Sequence, residues 1–481
     1  MSDPLAVPEG LVLPWAPSGD AAAPRPRPLA ARAEIGRALR RAVPRASHGG
    51  WRPGAARPDP VALLVAGNAG RDPGLVPLRM GRLARSPFAF LRGAAAVMAA
   101  DLAETPASGI PVFVDGDAHL ANFGLFGTPD AQVVVDLNDF DEVLVGPWEW
   151  DLKRLAASLE VAGREIGLAP AERAHAVRGA SAGYRGEIRA LAPLPVLALW
   201  QRRTAVVDLF AGVPPAWAPA EGVQRLLEGA RAKAAQSGHA ALLERTAVRD
   251  DATGWRFAPQ PPVLTALDDA ERDAVAAGLA GYLASLSPER RYLMQRYRLA
   301  DVAHRVVGVG SVGLRAYCAM LFGHDEGDPL LLQVKQAAPP AHGPFAAPLP
   351  AELSHDGRRV VYGQRLMQAF GDPLLGWTTI EGRPFYVRQM RNLKASFAPE
   401  RMSPPMFAAF AWAYGSLLAR AHARTGDAAA IGGYCGAGGE LDDALVDWSI
   451  AYADRTEADH AALRAAIARG EVEAVDASAD A

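Results

Sequence analysis

Five aspartates crowd two short stretches of this chain. Asp115-Gly116-Asp117-Ala118-His119, with Asn122 close behind, follows the apolar run Pro111–Val114. Asp136-Leu137-Asn138-Asp139-Phe140-Asp141 follows the run Gln132–Val135. Apolar runs of about four residues bounded by Gly and Asp read as short buried strands. Carboxylates at the ends of neighbouring strands converge, and they repel unless a cation or a proton lies between them. The chemistry on offer is metal binding, proton abstraction, or both. Polar turns also favour Asp, but a turn uses one or two, and these two bursts hold five.

A second cluster lies far downstream. Gly308, Gly310 and Gly313 form G-V-G-S-V-G, around Ser311. That spacing alone also fits a dinucleotide-binding turn, which needs a helix and then a strand ending in an acid about 20 residues on. Asp328 stands at that distance, yet it precedes the run Leu330–Val334 instead of ending it. The better reading is a glycine loop, a strand over Leu314–Phe322, a polar turn over Gly323–Pro329 and a strand over Leu330–Ala337. The last strand carries Lys335, one of only four lysines among 50 basic residues. Glycines let backbone amides close over phosphates, and a compact ammonium pairs with phosphate oxygens. A lysine snorkelling from an edge strand is the plainer alternative.

The two clusters together resemble kinase-type phosphotransferases. Asp117 and Asn122 match the D-x-x-x-x-N of their catalytic loop, and GDAHLANFG resembles the H-G-D-x-H-x-x-N loop of aminoglycoside and choline kinases. The resemblance implies Asp117 as the base that takes the acceptor's hydroxyl proton, and Asn122 and Asp139 as Mg²⁺ ligands. It implies Lys335 as a phosphate clamp on a strand like V-A-I-K, and Gly308, Gly310, Ser311 and Gly313 as a lid over ATP. GPWEWDL looks like their G-D-P-x-x-D-L segment, whose last acid, here Asp151, braces the catalytic loop. His119 and Asp141 are expected to support the site. The strand Phe385–Met390 would run into the hinge and set Gln389 and Met390 beside adenine. Two departures stand out. Asp115 replaces a His of those kinases, and the helix expected over Arg358–Phe370 has no Glu to pair with Lys335. Gln364, Glu352 or the nucleotide itself is left for that task.

Kinases place the glycine loop and lysine first and the catalytic loop later; this chain reverses the order. The expected fold is therefore α+β, a two-lobed protein-kinase-like fold with its lobes circularly permuted, which exposed-loop breaks tolerate. The expected organisation is a mostly flexible Pro/Arg-rich arm over 1–55, with one helix near Ala31–Ala42, and a helical lobe carrying the catalytic loop over 56–300. A small β-rich nucleotide lobe over 301–398, closing helices over 399–465 and a disordered tail over 466–481 follow. Within it, Ser86-Pro87 starts a helix running to Leu102. SPFAFLRGAAAVMAADLA, DLNDFDE, VVGVGSVGLRAY, LLLQVKQA, GQRLMQA and LARAHARTGD further resemble a bacterial family called domain of unknown function 2252, across about residues 56–465.

Composition narrows the remainder. Net charge is −3, which offers no general field for nucleic acid or anionic membrane, and neither partner is expected. Two cysteines exclude a disulfide framework and fit a reducing cytoplasm. No secretory leader or apolar run of membrane length is apparent. The leading expectation is an ATP/Mg²⁺-dependent phosphotransferase acting on a small-molecule or protein hydroxyl. A metal-dependent hydrolase built on Asp115, Asp117, His119 and Asp139, an AMP-transferring variant, and a nucleotide-binding pseudokinase are the alternatives.

Overall fold

The computed structural model describes residues 27–127, 133–203, 209–210, 212–217, 228–229, 238–250, 254–261, 263–306, 310–390, 395–396 and 399–475. Gly308 lies outside the described residues. The architecture mixes helices with sheets that are antiparallel throughout the described residues.

Two small sheets carry the acidic bursts. Strand β1 (Pro111–Val114) pairs with β4 (Leu144–Pro147), Val114 opposite Leu144. Strand β2 (Phe123–Gly127) pairs with β3 (Val133–Leu137), Phe123 opposite Leu137. The Asp115 turn leaves β1 and the Asp139 turn leaves β3, so the first burst begins where its strand stops, whereas Asp136 of the second still belongs to β3, opposite Gly124. A ribbon of β5 (Ala247–Asp250) and β6 (Gly254–Phe257) precedes the main sheet. That sheet has six strands: β7 (Leu264–Ala266), β8 (Arg298–Arg305), β9 (Ala316–Phe322), β10 (Pro329–Gln336), β11 (Gly376–Ile380) and β12 (Arg383–Gln389). Their spatial order is β11-β12-β10-β9-β8-β7. A last short strand, β13 (Ala395–Ser396), adds to β2 and so ties the end of the large sheet to the acidic region.

The strand period of two sorts side chains onto the two faces of the main sheet. Tyr317, Ala319 and Leu321, with Leu330, Leu332 and Val334, enter one core against helix Asp269–Ala284. Cys318, Met320 and Leu331 enter another. Lys335 shares the parity of Leu331 and Gln333, which sets its ammonium on the face toward the acidic turns.

Helices form the other half. Helices α1 (Leu29–Leu39), α2 (Pro60–Ala66), α3 (Val76–Ala84), α4 (Pro87–Gly93) and α5 (Ala95–Ala103) come first. Later come α6 (Glu149–Glu165), α7 (Pro170–Leu191), α8 (Asp269–Ala284), α9 (Asp356–Met367), α10 (Pro404–Thr425), α11 (Ala428–Cys435) and α12 (Glu440–Ala468). Their largest core joins α6, α7 and α10 to β1–β4.

Four sequence expectations are corrected. In the arm read as mostly flexible, the helix expected near Ala31–Ala42 lies at Leu29–Leu39 and is docked: a Cβ at Gly36 would lie 1.9 Å from Ala430 O of α11, so only glycine permits that approach. Residues 1–26 lie outside the described residues. Arg40 donates to Tyr434 O at 2.8 Å across the same contact. The tail read as disordered over 466–481 is helical to Ala468, and Val475 N–H bonds Pro77 O at 3.0 Å; residues 476–481 lie outside the described residues. The single helix expected from Ser86 to Leu102 breaks at Ala94 (φ −108°, ψ 40°) into α4 and α5. Its Ser86 cap, accepting from Ala89 N–H at 3.2 Å, is as the sequence predicts. The helix expected over Arg358–Phe370 starts earlier, at Asp356, under a cap from the His355 ring, and ends at Met367. Among the described residues no helix is long and apolar enough to cross a membrane.

Candidate active site

The Asp115–Asn122 turn is held from below by α6. Asp151 accepts the backbone N–H groups of Asp115 and Gly116 at 2.7 and 2.9 Å. His422 Nε2 of α10 bonds the same carboxylate at 3.0 Å, and Tyr184 Oη of α7 bonds His422 Nδ1 at 2.8 Å. Asp151 and His422 are buried. Gly116 makes the turn possible: its φ is +77°, and a Cβ there would meet Glu142 O at 2.4 Å.

Asp117 projects from this turn, 23% of its side chain exposed. Arg154, one helical turn beyond Asp151, donates Nε to Asp117 Oδ1 at 2.7 Å and a second bond from Nη2. Burial pushes the Asp117 carboxyl up to about 7, against the pull of Arg154 downward; Glu142 and Asp139 add to the rise. A carboxylate poised near neutrality suits proton abstraction at physiological pH. His119 packs behind it, its Nδ1 accepting Ala121 N–H at 3.1 Å.

Asn122 joins the two acidic turns. Its amide nitrogen donates to Asp115 Oδ1, Asp117 O and Asp139 O at 2.9, 3.1 and 3.0 Å. Its amide oxygen, read from sequence as a metal ligand, accepts Asp139 N–H at 2.8 Å. One lone pair of that oxygen remains.

Lys335 crosses from β10 to the second turn. Its buried ammonium lies 3.3 Å from Asp139 Oδ2 and also bonds Asp141 Oδ2. Burial alone would lower the lysine's pKa, but Asp139 and Asp141 outweigh it and hold it above the ordinary value. The expected partners are not used: Glu352 is exposed, and Gln364 donates instead to Gln368 Oε1 at 2.9 Å. The acids needed by the lysine come from the turn itself.

Ser311 brings the glycine loop to the same point, its hydroxyl 3.3 Å from Asp141 Oδ2. Gly313 (φ +86°) accepts Asp72 N–H at 2.7 Å, and Gly310 lines the cleft. At the end of β12, Gln389 gives its backbone and side-chain N–H groups to Asp372, both at 2.7 Å. Met390 N–H bonds Leu331 O at 2.8 Å. Asp117, Asn122, Asp139, Asp141, Ser311 and Gln389 are among the residues lining one cavity of about 990 Å³; Lys335, buried against Asp139 and Asp141, is not in that lining. That volume lies at the upper end of the roughly 300–1,000 Å³ of small-molecule sites.

An implied Mg²⁺ fits the residues present. Asp141 Oδ1 is buried and meets no hydrogen-bond donor, and Asp139 and Asn122 complete an all-oxygen set of the kind Mg²⁺ prefers. Among the described residues no three His, Cys, Asp or Glu side chains group as a metal site. Mg²⁺ requires only one or two carboxylates, completed by water and substrate phosphates.

Three arginines escaped the sequence reading. Arg359 of α9, 1% exposed, donates to Asp141 O and Val143 O at 2.9 and 2.6 Å and to Ala338 O at 2.7 Å. Arg388 of β12 donates to Asn138 O at 2.9 Å. Arg154 was legible, being three residues past Asp151 on one face of a helix; the other two act across folds of the chain that no local pattern records.

A family model described as "Uncharacterized protein conserved in bacteria (DUF2252)" matches residues 71–466. No curated protein and no solved structure matches the chain.

Proposed function

The chain belongs to the DUF2252 family of bacterial proteins, and from that premise we propose that it is an ATP- and Mg²⁺-dependent phosphotransferase with a permuted, kinase-like arrangement of two lobes. The observation that carries this reading is the meeting of Lys335, Ser311, Asp139 and Asp141, with Asn122 binding that turn to Asp117. Asp139 and Lys335, 196 positions apart, meet with the chemistry of a cation site and a phosphate clamp, and Asn122 joins them to the base Asp117. Chain order is irrelevant to such a site, since geometry alone positions reactants.

Asp117 accepts the proton of the acceptor hydroxyl. The acceptor oxygen then bonds the γ-phosphorus of ATP while the bond from that phosphorus to the bridging oxygen breaks, and ADP departs with the electron pair. Lys335 and the glycine-loop amides hold phosphate oxygens. Asp139 and Asp141, with Asn122 behind them, would hold Mg²⁺, which would supply charge neutralisation when bound. Arg154 keeps Asp117 oriented and ionised. The hydrolase alternative is the weaker one: His119 Nε2 lies 3.6 Å from Asp117 Oδ2, but Arg154 holds Asp117 Oδ1 and the reading leaves Lys335 and Ser311 without a part.

Thermal melting with ATP, with and without Mg²⁺, tests the proposal on wild type and Asp139→Asn. A Mg²⁺-dependent rise that Asp139→Asn abolishes is the expected result; about 2.7 kcal/mol of stabilisation accompanies a hundredfold excess over Kd. No response to Mg²⁺-ATP in the wild type overturns it.

A further inference from the structure

The cavity has a second wall that the proposed phosphotransfer does not use. It is built from α2–α5 and the segment after α2, and it presents Arg71, Arg79 and Arg92 beside Phe88, Leu63 and Ile166. None of the three arginines forms an ion pair among the described residues. Arg79 is 4% exposed; its guanidinium reaches Asn68 Oδ1 at 2.8 Å and Gly93 O at 3.3 Å, and its Nε meets no partner. Arg92 Nε is likewise buried without a partner, the guanidinium lying 5.9 Å from the Phe88 ring centroid. Arg71 bonds Gly67 O and Val312 O at 2.8 and 2.6 Å, which carries the wall up to the glycine loop.

Buried guanidinium groups ordinarily find carboxylates, because an uncompensated buried charge is costly. Here burial lowers the pKa of all three, that of Arg79 to about 9 with Arg71 adding to the fall; Glu142 and Asp141 offset part of the fall at Arg71 and Asp117 part of it at Arg92, while no carboxylate offsets it at Arg79. The carboxylate on this wall, Glu165, accepts Phe88 N–H at 3.2 Å. The wall also adjoins the base: Arg154 Nη2 bonds both Leu91 O, next to Arg92, and Asp117 Oδ1.

We infer that this wall binds the acceptor, and that the acceptor is a small molecule carrying an anionic oxygen group, phosphate or carboxylate, beside the hydroxyl presented to Asp117. Arginine forks match both groups and gain most where water is excluded. Phe88, Leu63 and Ile166 give the acceptor's carbon skeleton an apolar surface. The acceptor assignment rests on the phosphotransfer reading; the anion site does not.

Isothermal titration of inorganic phosphate and of succinate into the full chain tests the site. Wild type, Arg92→Gln, Arg92→Lys and Lys335→Gln are compared, each verified as folded by its melting curve. The expected result is saturable binding of at least one anion, weakened tenfold or more by Arg92→Gln, partly restored in Arg92→Lys and weakened less by Lys335→Gln than by Arg92→Gln. Stronger phosphate than succinate binding assigns a phosphate-bearing acceptor, and the reverse a carboxylate. Binding lost in Lys335→Gln and kept in Arg92→Gln places the anion at the nucleotide position and overturns the inference, as does failure of the wild type to bind either anion. Because anion binding is read without ATP, failure of the nucleotide assay leaves this result standing.

Discussion

The two walls of the cleft handle charge in opposite ways. On one, Lys335 is met by Asp139 and Asp141, and Arg154 by Asp117, so the buried cations are compensated within the chain. On the other, Arg71, Arg79 and Arg92 bond backbone and amide oxygens or face an aromatic ring and form no ion pair among the described residues; Asp117 acts on Arg92, and Glu142 and Asp141 on Arg71, only from a distance. A compensated wall is complete without ligand and must exchange partners when one arrives. An uncompensated wall retains unused capacity, and the ligand supplies what the fold omits. The same residue type therefore means different things on the two sides.

Substitutions separate the walls. Asp117→Asn should lower turnover about 10²- to 10⁴-fold, the worth of a general base, while Mg²⁺-ATP still raises the melting temperature; equal loss of binding would remove Asp117 from the proton-transfer role. Lys335→Met strands two carboxylates and should cost about 3 kcal/mol in urea unfolding, the low end for broken buried pairs because Asp139 is half-exposed. Arg92→Met breaks no ion pair, and its unfolding free energy should stay within about 1 kcal/mol of wild type. Similar costs for the two would erase the contrast between the walls.

The finest test is pH. The ionised form of Asp117 accepts the proton, so kcat/KM should climb with pH through about 7. Arg154 lowers that value and Glu142 raises it. Arg154→Gln should move the acid limb to higher pH and Glu142→Gln to lower pH. Shifts of the same sign in both variants would exclude Asp117 as the titrating group.

Much of the site was legible locally. The pattern that ends β1 at Val114 and opens a Gly-Asp turn needs only a few neighbouring residues, and Asp151, His119 and Lys335 announce themselves by spacing or rarity. The partner of Lys335 was sought on the following helix, but Asp139 and Asp141 had already been assigned elsewhere, and pairing across 194–196 residues leaves no local trace. The break between α4 and α5 was hidden for a related reason. Carbonyls freed there, Leu91 O and Gly93 O, are satisfied by Arg154 and Arg79 from other helices. Docking of α1 was missed because close glycine contacts, as at Gly36, produce no hydrophobic periodicity.

The bond from His422 to Asp151 has a consequence for synthesis of the chain. Asp151, which holds the Asp115 turn, emerges from the ribosome 271 residues before the imidazole that completes the brace. At about 5–20 residues per second, that interval is on the order of 10–50 s. During it Asp115, Asp117 and Asp139 belong to a nascent chain whose brace is incomplete. The brace closes only when α10 arrives, making late translation the step that assembles the cleft.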